Sequence, residues 1–236
     1  MICTQELRCF CLEKGGLLFD TDSLSNKVYD YLRGQIMSGK LAPNSKLPEV
    51  ELASSLQVSR APVREALNML VSDGFVVRVP RHGAVVAPVT RKEIDENWEL
   101  RQLLEPNGAR AACGLIPRDE LESVKKYVED TLSSNDFNEY MDSDYALHSI
   151  IYQYVPNQQL QRFLTSVMHS SMRYRFYTEN NAPTSAEIIQ AVCREHLTII
   201  DALLRGDAEA AYASMLAHTQ NSYRRISRQL ASSDLE

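Results

Sequence analysis

The sequence predicts a mainly α fold in two modules, an N-terminal winged helix-turn-helix followed by a C-terminal all-α antiparallel helical bundle. Three observations carry that prediction. From Leu24 onward apolar residues recur at three- and four-residue steps along most of the chain, the period of a helix with one buried face. That period is broken by two β-branched runs, residues 75–79 and 84–89, on either side of Pro80-Arg81-His82-Gly83. Charge is divided unevenly: residues 23–90 hold eight Lys and Arg against five Asp and Glu, or +3, whereas the 236-residue chain as a whole is at −6, leaving −9 elsewhere. An acidic total argues against a nucleic-acid binder, but a basic first module on an acidic second one is the asymmetry expected when one part alone meets phosphate.

Taken in order, residues 1–22 show no periodicity and contain Gly15-Gly16, so they read as a flexible tail. Its Cys3, Cys9 and Cys11 have no histidine nearby and make a weak metal signal; Cys113 and Cys193 fall in helical patterns. Leu24, Val28, Leu32 and Ile36 step by four and predict a first helix ended by Gly39. Lys40 to Leu47, with Pro43 and Asn44, reads as a turn and a short extended piece. Pro48 to Leu56 is a short second helix, and Gln57-Val58 leave room for a tight turn only. Ser59 can cap a third helix, Pro62 falls in its first turn where a missing N–H costs nothing, and Val63, Ala66, Leu67 and Leu70 form its buried stripe. Arg60 and Arg64 share the opposite face, one turn apart. Two short helices joined this way outline a helix-turn-helix, and the two β-branched runs add a hairpin wing with Arg81, His82 and Gly83 at its tip.

The second module, residues 91–236, is predicted to be helical throughout. Thr90 and Glu93 form a capping box opening a helix through Gly114, with a kink expected at Pro106 and Gly108. Pro117 starts the next, with Leu121, Val124, Val128 and Leu132 inward. Further helices are expected over about 136–155, 157–177, 184–204 and 207–230, joined by connections short enough to force an antiparallel bundle.

Three of these helices carry polar groups on their apolar stripes. The first reads Phe137, Met141, Asp144, His148, Ile151, Val155; the second Ile189, Val192, His196, Ile199, Leu203; the third Ala211, Met215, His218. A buried carboxylate is costly unless paired or bound to a metal, and three inward histidines beside it argue for a metal site. His169 falls off these stripes and reads as structural or exposed. Arg101 continues a stripe of Ile94 and Trp98 and would need an anion if buried; an intrahelical pair with Glu105 and an anionic ligand are both open. Asn221, one turn after His218, is a further pocket candidate.

Residues 23–90 resemble the DNA-binding domain of the GntR family of bacterial transcription regulators, on Leu47-Pro48, Glu51-Leu52-Ala53, Val58-Ser59-Arg60, Pro62 to Leu67, Leu70, Asp73-Gly74 and His82-Gly83. The resemblance implies DNA contacts from the start of the recognition helix and the wing tip, namely Ser59, Arg60, Ala61, Arg64, Arg81, His82 and Gly83. Ala61 stands where the family most often has Thr, and Asn44 where it usually has Gly. Residues 92 to 230 resemble the FCD class of GntR effector domains, on Glu99-Leu100-Arg101, Leu104-Glu105, Asp144-x-x-x-His148, Glu195-His196, Ala202-Leu203, Gly206-Asp207 and Met215-x-x-His218. That likeness implies one divalent ion per chain on Asp144, His148, His196 and His218. Zinc comes first, and N/O ligation also admits nickel, iron or manganese.

The resulting expectation is a cytoplasmic homodimeric regulator, not an enzyme, bound to palindromic operator DNA and controlled by a small organic acid effector at the metal, with Arg101 and Asn221 near it. No stretch approaches the length of a membrane span. Two alternatives remain at this point: a metal-dependent hydrolase on a helical bundle, and a regulator that senses the metal itself.

Overall fold

The computed structural model describes residues 23–181 and 184–230, and the 1–22 segment expected as a flexible tail lies outside them. The order of elements is α1 (Leu24–Met37), α2 (Glu49–Ser55), α3 (Arg60–Ser72), β1 (Val76–Val79), β2 (Gly83–Val86), α4 (Arg91–Ala112), α5 (Arg118–Ser134), α6 (Phe137–Gln153), α7 (Gln158–Asn181), α8 (Ala186–Leu204) and α9 (Ala208–Leu230). A winged helix-turn-helix and a helical bundle are therefore both present. Among the described residues no helix is long and apolar enough to cross a membrane.

The first module is built on the stripes that periodicity marked. Val28 and Leu32 of α1 meet Val63, Leu67 and Leu70 of α3 over Phe75, all of them buried. The α2–α3 turn closes with Gln57 at φ 55°, and the turn after α1 holds Asn44 at φ 67°, a left-handed conformation that Asn tolerates. Strands β1 and β2 pair antiparallel, Val76 opposite Val86 and Val79 opposite Gly83. The extended piece before α2 adds to the same sheet, with the Leu47 N–H donating to Ala84 O at 2.9 Å.

Three local expectations are corrected. Ser59 occupies the cap position of α3, but its hydroxyl makes no capping hydrogen bond and stays free for another acceptor or donor. The second strand stops at Val86 rather than Val89, because Val89 leaves the sheet to pack with Ile94, Trp98, Tyr174 and Ile226 of the bundle. The wing tip uses two left-handed residues, Arg81 at φ 65° as well as Gly83 at φ 80°.

In the second module α4 lies along α7 and α9, while α5, α6 and α8 close the opposite side. The Thr90–Glu93 capping box is present, and α4 runs through Pro106 without ending. Gly108 has a packing reason: a Cβ there would come within 2.9 Å of Leu164 Cδ1 on α7, so the two helices approach closely. The modules also touch. His169 of α7 is buried with its Nδ1 3.9 Å from Asp73 Oδ2, and the Asp73 carboxylate accepts a short hydrogen bond from Tyr29 of α1.

Candidate functional site

Asp144 and His148 lie one turn apart on α6, His196 on α8 and His218 on α9, and the bundle closes all four into its interior. One ligand atom from each lies within 4.8 Å of every other. The edges of a coordination shell with bonds of about 2.0–2.2 Å span about 3–4 Å, so a small inward movement completes it. Imidazole centroids are 4.7 Å apart for His196 and His218 and 5.3 Å for His148 and His218. Periodicity thus located all four groups.

The hydrogen-bond accounting fits a metal ion. His148 Nε2, His218 Nε2, both nitrogens of His196 and Asp144 Oδ1 are buried without a hydrogen-bond partner. Orphaned buried acceptors are rare and need a cause. At the far side of each of two rings stands a carboxylate: Glu195 Oε2 is 2.9 Å from His218 Nδ1, and Glu105 Oε2 is 3.3 Å from His148 Nδ1, with the Tyr152 hydroxyl at 3.1 Å. A carboxylate holding the outer N–H fixes the tautomer that turns Nε2 and its lone pair inward, which is the usual support of a ligating histidine.

Electrostatics prepare the same state. Burial lowers His218 to about 3, outweighing the Glu195 hydrogen bond, and burial likewise lowers His196 despite Asp144. Burial alone would raise Glu195, but hydrogen bonds and charge from Arg225 and His218 bring it down to about 2. Both His218 and Glu195 therefore bind more protons in the unfolded chain than in the folded one, so stability falls as pH falls, first from about 6.5 as unfolded imidazoles protonate and again below about 4.5. In chelator the melting temperature should drop steadily from pH 7 to pH 4.5, and the drop should shrink in His218→Gln. A melting temperature flat across that range would contradict the buried neutral imidazoles.

Two arginines complete the interior. Arg101 of α4 is 2 % exposed and pairs with the fully buried Glu105 at 2.5 Å, so the intrahelical reading holds, yet its Nη1 is left without a partner. Arg175 of α7 brings Nη1 to 2.7 Å from Asp144 Oδ1, close but not aligned as a hydrogen bond, and that nitrogen too is unsatisfied. Asn221 stands one layer out: its amide donates to Glu195 Oε1 at 2.9 Å and its oxygen accepts from Arg224. Sequence reasoning missed Arg175 and Glu195 as parts of this site. Glu195 directly precedes a ligand histidine, and Arg175 carries no periodic signal because a charged residue beside apolar ones looks like a solvated face.

On the first module Ser59, Arg60, Ala61 and Arg64 are exposed at the start of α3, and Arg81, His82 and Gly83 are exposed at the wing tip. Glu49 of α2 ties this face together. Its carboxylate meets Arg64 Nε at 3.0 Å, Arg78 Nη1 at 3.4 Å and Arg60 Nη2 at 3.9 Å. Partial burial raises the Glu49 carboxyl, but Arg64 and Arg78 outweigh it and hold it below its ordinary range. Arg78, on the exposed side of β1, is one of the eight basic residues of this module but is not among the expected DNA contacts. Glu49→Gln should raise affinity for random-sequence duplex by about two- to fivefold at low salt, since one negative charge leaves an exposed arginine-rich surface. Unchanged binding would show that Glu49 does not limit it.

The chain matches two family models, the gntR family of bacterial regulatory proteins over residues 24–86 and the FCD domain over residues 96–221. It is 32% identical to the gluconate operon transcriptional repressor of Bacillus subtilis over 179 residues, covering 70% of this chain and 73% of that protein. It is 26% identical to the HTH-type transcriptional regulator YdhC of the same organism, over 81% of this chain and 86% of that one. Among solved structures, Escherichia coli McbR/YncC shares the fold with a TM-score of 0.74 at 21% identity, over 88% of this chain and 98% of the other. Both family models and both named relatives are of transcription regulators rather than enzymes, and the hydrolase alternative gives way. A winged helix-turn-helix with an exposed arginine face, followed by a helical effector-binding module, is thus a DNA-binding transcription regulator, and the chain belongs to the GntR family with an FCD domain.

Proposed function

We propose that this regulator binds a palindromic operator as a homodimer and that a small organic acid, held at a divalent ion on Asp144, His148, His196 and His218, sets its operator affinity. The division falls at about residue 90, with residues 23–90 reading DNA and residues 91–236 binding metal, effector and the second copy. Zinc is the first candidate for the ion, with nickel, iron or manganese admitted by the same donors. The setting is the cytoplasm, where the operator is.

The observation that carries this reading is the charge balance of the closed interior. Arg101 and Arg175 contribute two positive charges and Glu105 and Asp144 two negative ones, and an imidazole that ligates a metal adds no charge. A divalent ion adds two uncompensated positive charges, and both arginines still have an undirected N–H. A small carboxylate, with two negative charges in the best case, neutralises the excess and accepts from the guanidiniums. Asn221 acts through Glu195 and His218 as a positioning residue.

The path to DNA runs along α7. That helix carries Arg175 against Asp144 and, two residues earlier, Arg173, whose Nη1 donates to Ala87 O at 2.9 Å and Pro88 O at 2.6 Å in the linker between modules. An effector that draws Arg175 away from Asp144 shifts α7 and the linker it grips. Such a ligand changes operator affinity only to the extent that it binds the two arrangements unequally.

The test is operator anisotropy titrated with a panel of small mono-, di- and tricarboxylates, on metal-loaded and metal-stripped protein. An acid that shifts operator affinity about tenfold or more when metal is present, and not when it is absent or in Arg101→Met, is the expected result. Equal shifts without metal would overturn the reading. A switch driven by metal alone at fixed acid would assign the signal to the ion.

A further inference from the structure

A second space, a partly open cleft, lies between the modules, away from the imidazole cluster. The end of α1, the turn after it and the linker after β2 face α7 across a cavity of about 180 Å³, lined by Ile36, Met37, Leu41, Pro43, Val89 and Arg173 among others. Arg173 is its one charged lining residue, and it is 7 % exposed.

Arg173 differs from the other buried arginines among the described residues. Arg101 and Arg175 each lie against a carboxylate. Arg173 donates to two linker carbonyls and to the Tyr174 hydroxyl at 3.2 Å, stacks 4.8 Å over the Tyr174 ring, and leaves Nε with no acceptor. Each of these partners is neutral. A guanidinium keeps its charge under all conditions, so a buried one held by neutral groups is a positive site without its counterion. Apolar walls around a lone cation define the complementary ligand: an anionic head on a short apolar tail.

We infer that this junction cavity is a second ligand site, distinct from the metal centre, that takes a monocarboxylate with a short aliphatic tail, its carboxylate paired with Arg173 and its tail among Ile36, Met37, Leu41 and Val89. At about 180 Å³ the space is small, which suits an acid with a short tail rather than a long-chain one. The site sits where the linker leaves the wing, so its occupant touches both modules at once.

Titration calorimetry of the full chain with acetate, butanoate, hexanoate and decanoate tests this. Affinity should climb about fourfold per methylene up to hexanoate and then fall at decanoate when the cavity is full. Hexan-1-ol, which lacks the charge, should bind at least tenfold more weakly than hexanoate. Binding should persist in chelator and in His196→Ala, which removes the metal centre but not this cavity. Arg173→Met should weaken hexanoate at least tenfold. Leu41→Trp, which fills the cavity and keeps the guanidinium, should do the same and decides the matter if Arg173→Met does not fold. No saturable binding, equal binding of the alcohol, a series without an optimum, or binding that vanishes on metal removal would each overturn the inference. The last outcome would move the acid to the imidazole cluster without touching the reading of that cluster.

Discussion

His196→Ala is expected to abolish stoichiometric metal binding. The purified wild-type chain should carry close to one equivalent of a divalent ion by elemental analysis, and the variant none after dialysis. Neither ring nitrogen of His196 makes a well-aligned hydrogen bond, and Nε2 has only the Asp144 carboxylate near it at 3.4 Å, so the substitution removes a ligand at little cost to the apoprotein's hydrogen bonding. Loss of metal can then be read separately from loss of fold, with the chelated wild type as the stability reference. Metal binding is linked to stability by mass action, so the loaded wild type should melt well above its chelated form and His196→Ala should not respond to the ion. Glu195→Gln leaves all four donors in place and should cost about 10–100-fold in metal affinity by releasing His218 Nδ1. Retained stoichiometric metal in His196→Ala would refute the site as drawn.

The second large effect is on DNA. Arg60→Ala with Arg64→Ala should erase a specific operator footprint. Arginine can bind guanine O6 and N7 bidentately and alanine cannot, and each such contact contributes about 1–3 kcal/mol of discrimination, or roughly a 5- to 150-fold preference. Both guanidiniums are more than half exposed and are pre-positioned by Glu49, so little is lost from the fold when they go. The double variant should keep its melting temperature and its acid and metal binding. Arg81→Ala at the wing should weaken operator and random duplex alike and flatten the salt dependence, the signature of a phosphate contact. An operator footprint that survives the double substitution would move the reading surface elsewhere.

Much of this molecule was legible from periodicity. The stripes of α1 and α3, the wing between two β-branched runs and the inward Asp144, His148, His196 and His218 all follow from a helix turning once in 3.6 residues, since that geometry dictates which side chains share a face. The residues around the ligands were not legible. Glu105 and Glu195 support their histidines, and Arg175 faces Asp144, across helices 23 to 43 residues apart in sequence or with no repeating register between them. No local pattern encodes which helix will lie beside which. Ser59 shows the converse: cap chemistry at the right position was readable, but whether its hydroxyl turns to the backbone was not.

By itself the sequence determined the two modules, their order, the charge divided between them and the four metal-ligating candidates, because each depends on residue type and spacing along one helix or strand. Only the tertiary structure decided the partners: Glu49 gathering three arginines, Arg173 gripping the linker beside an apolar cavity, and two guanidiniums left with spare donors in a closed core. Those follow from how helices pack against one another, which is fixed by the fit of whole surfaces rather than by any single stretch of chain.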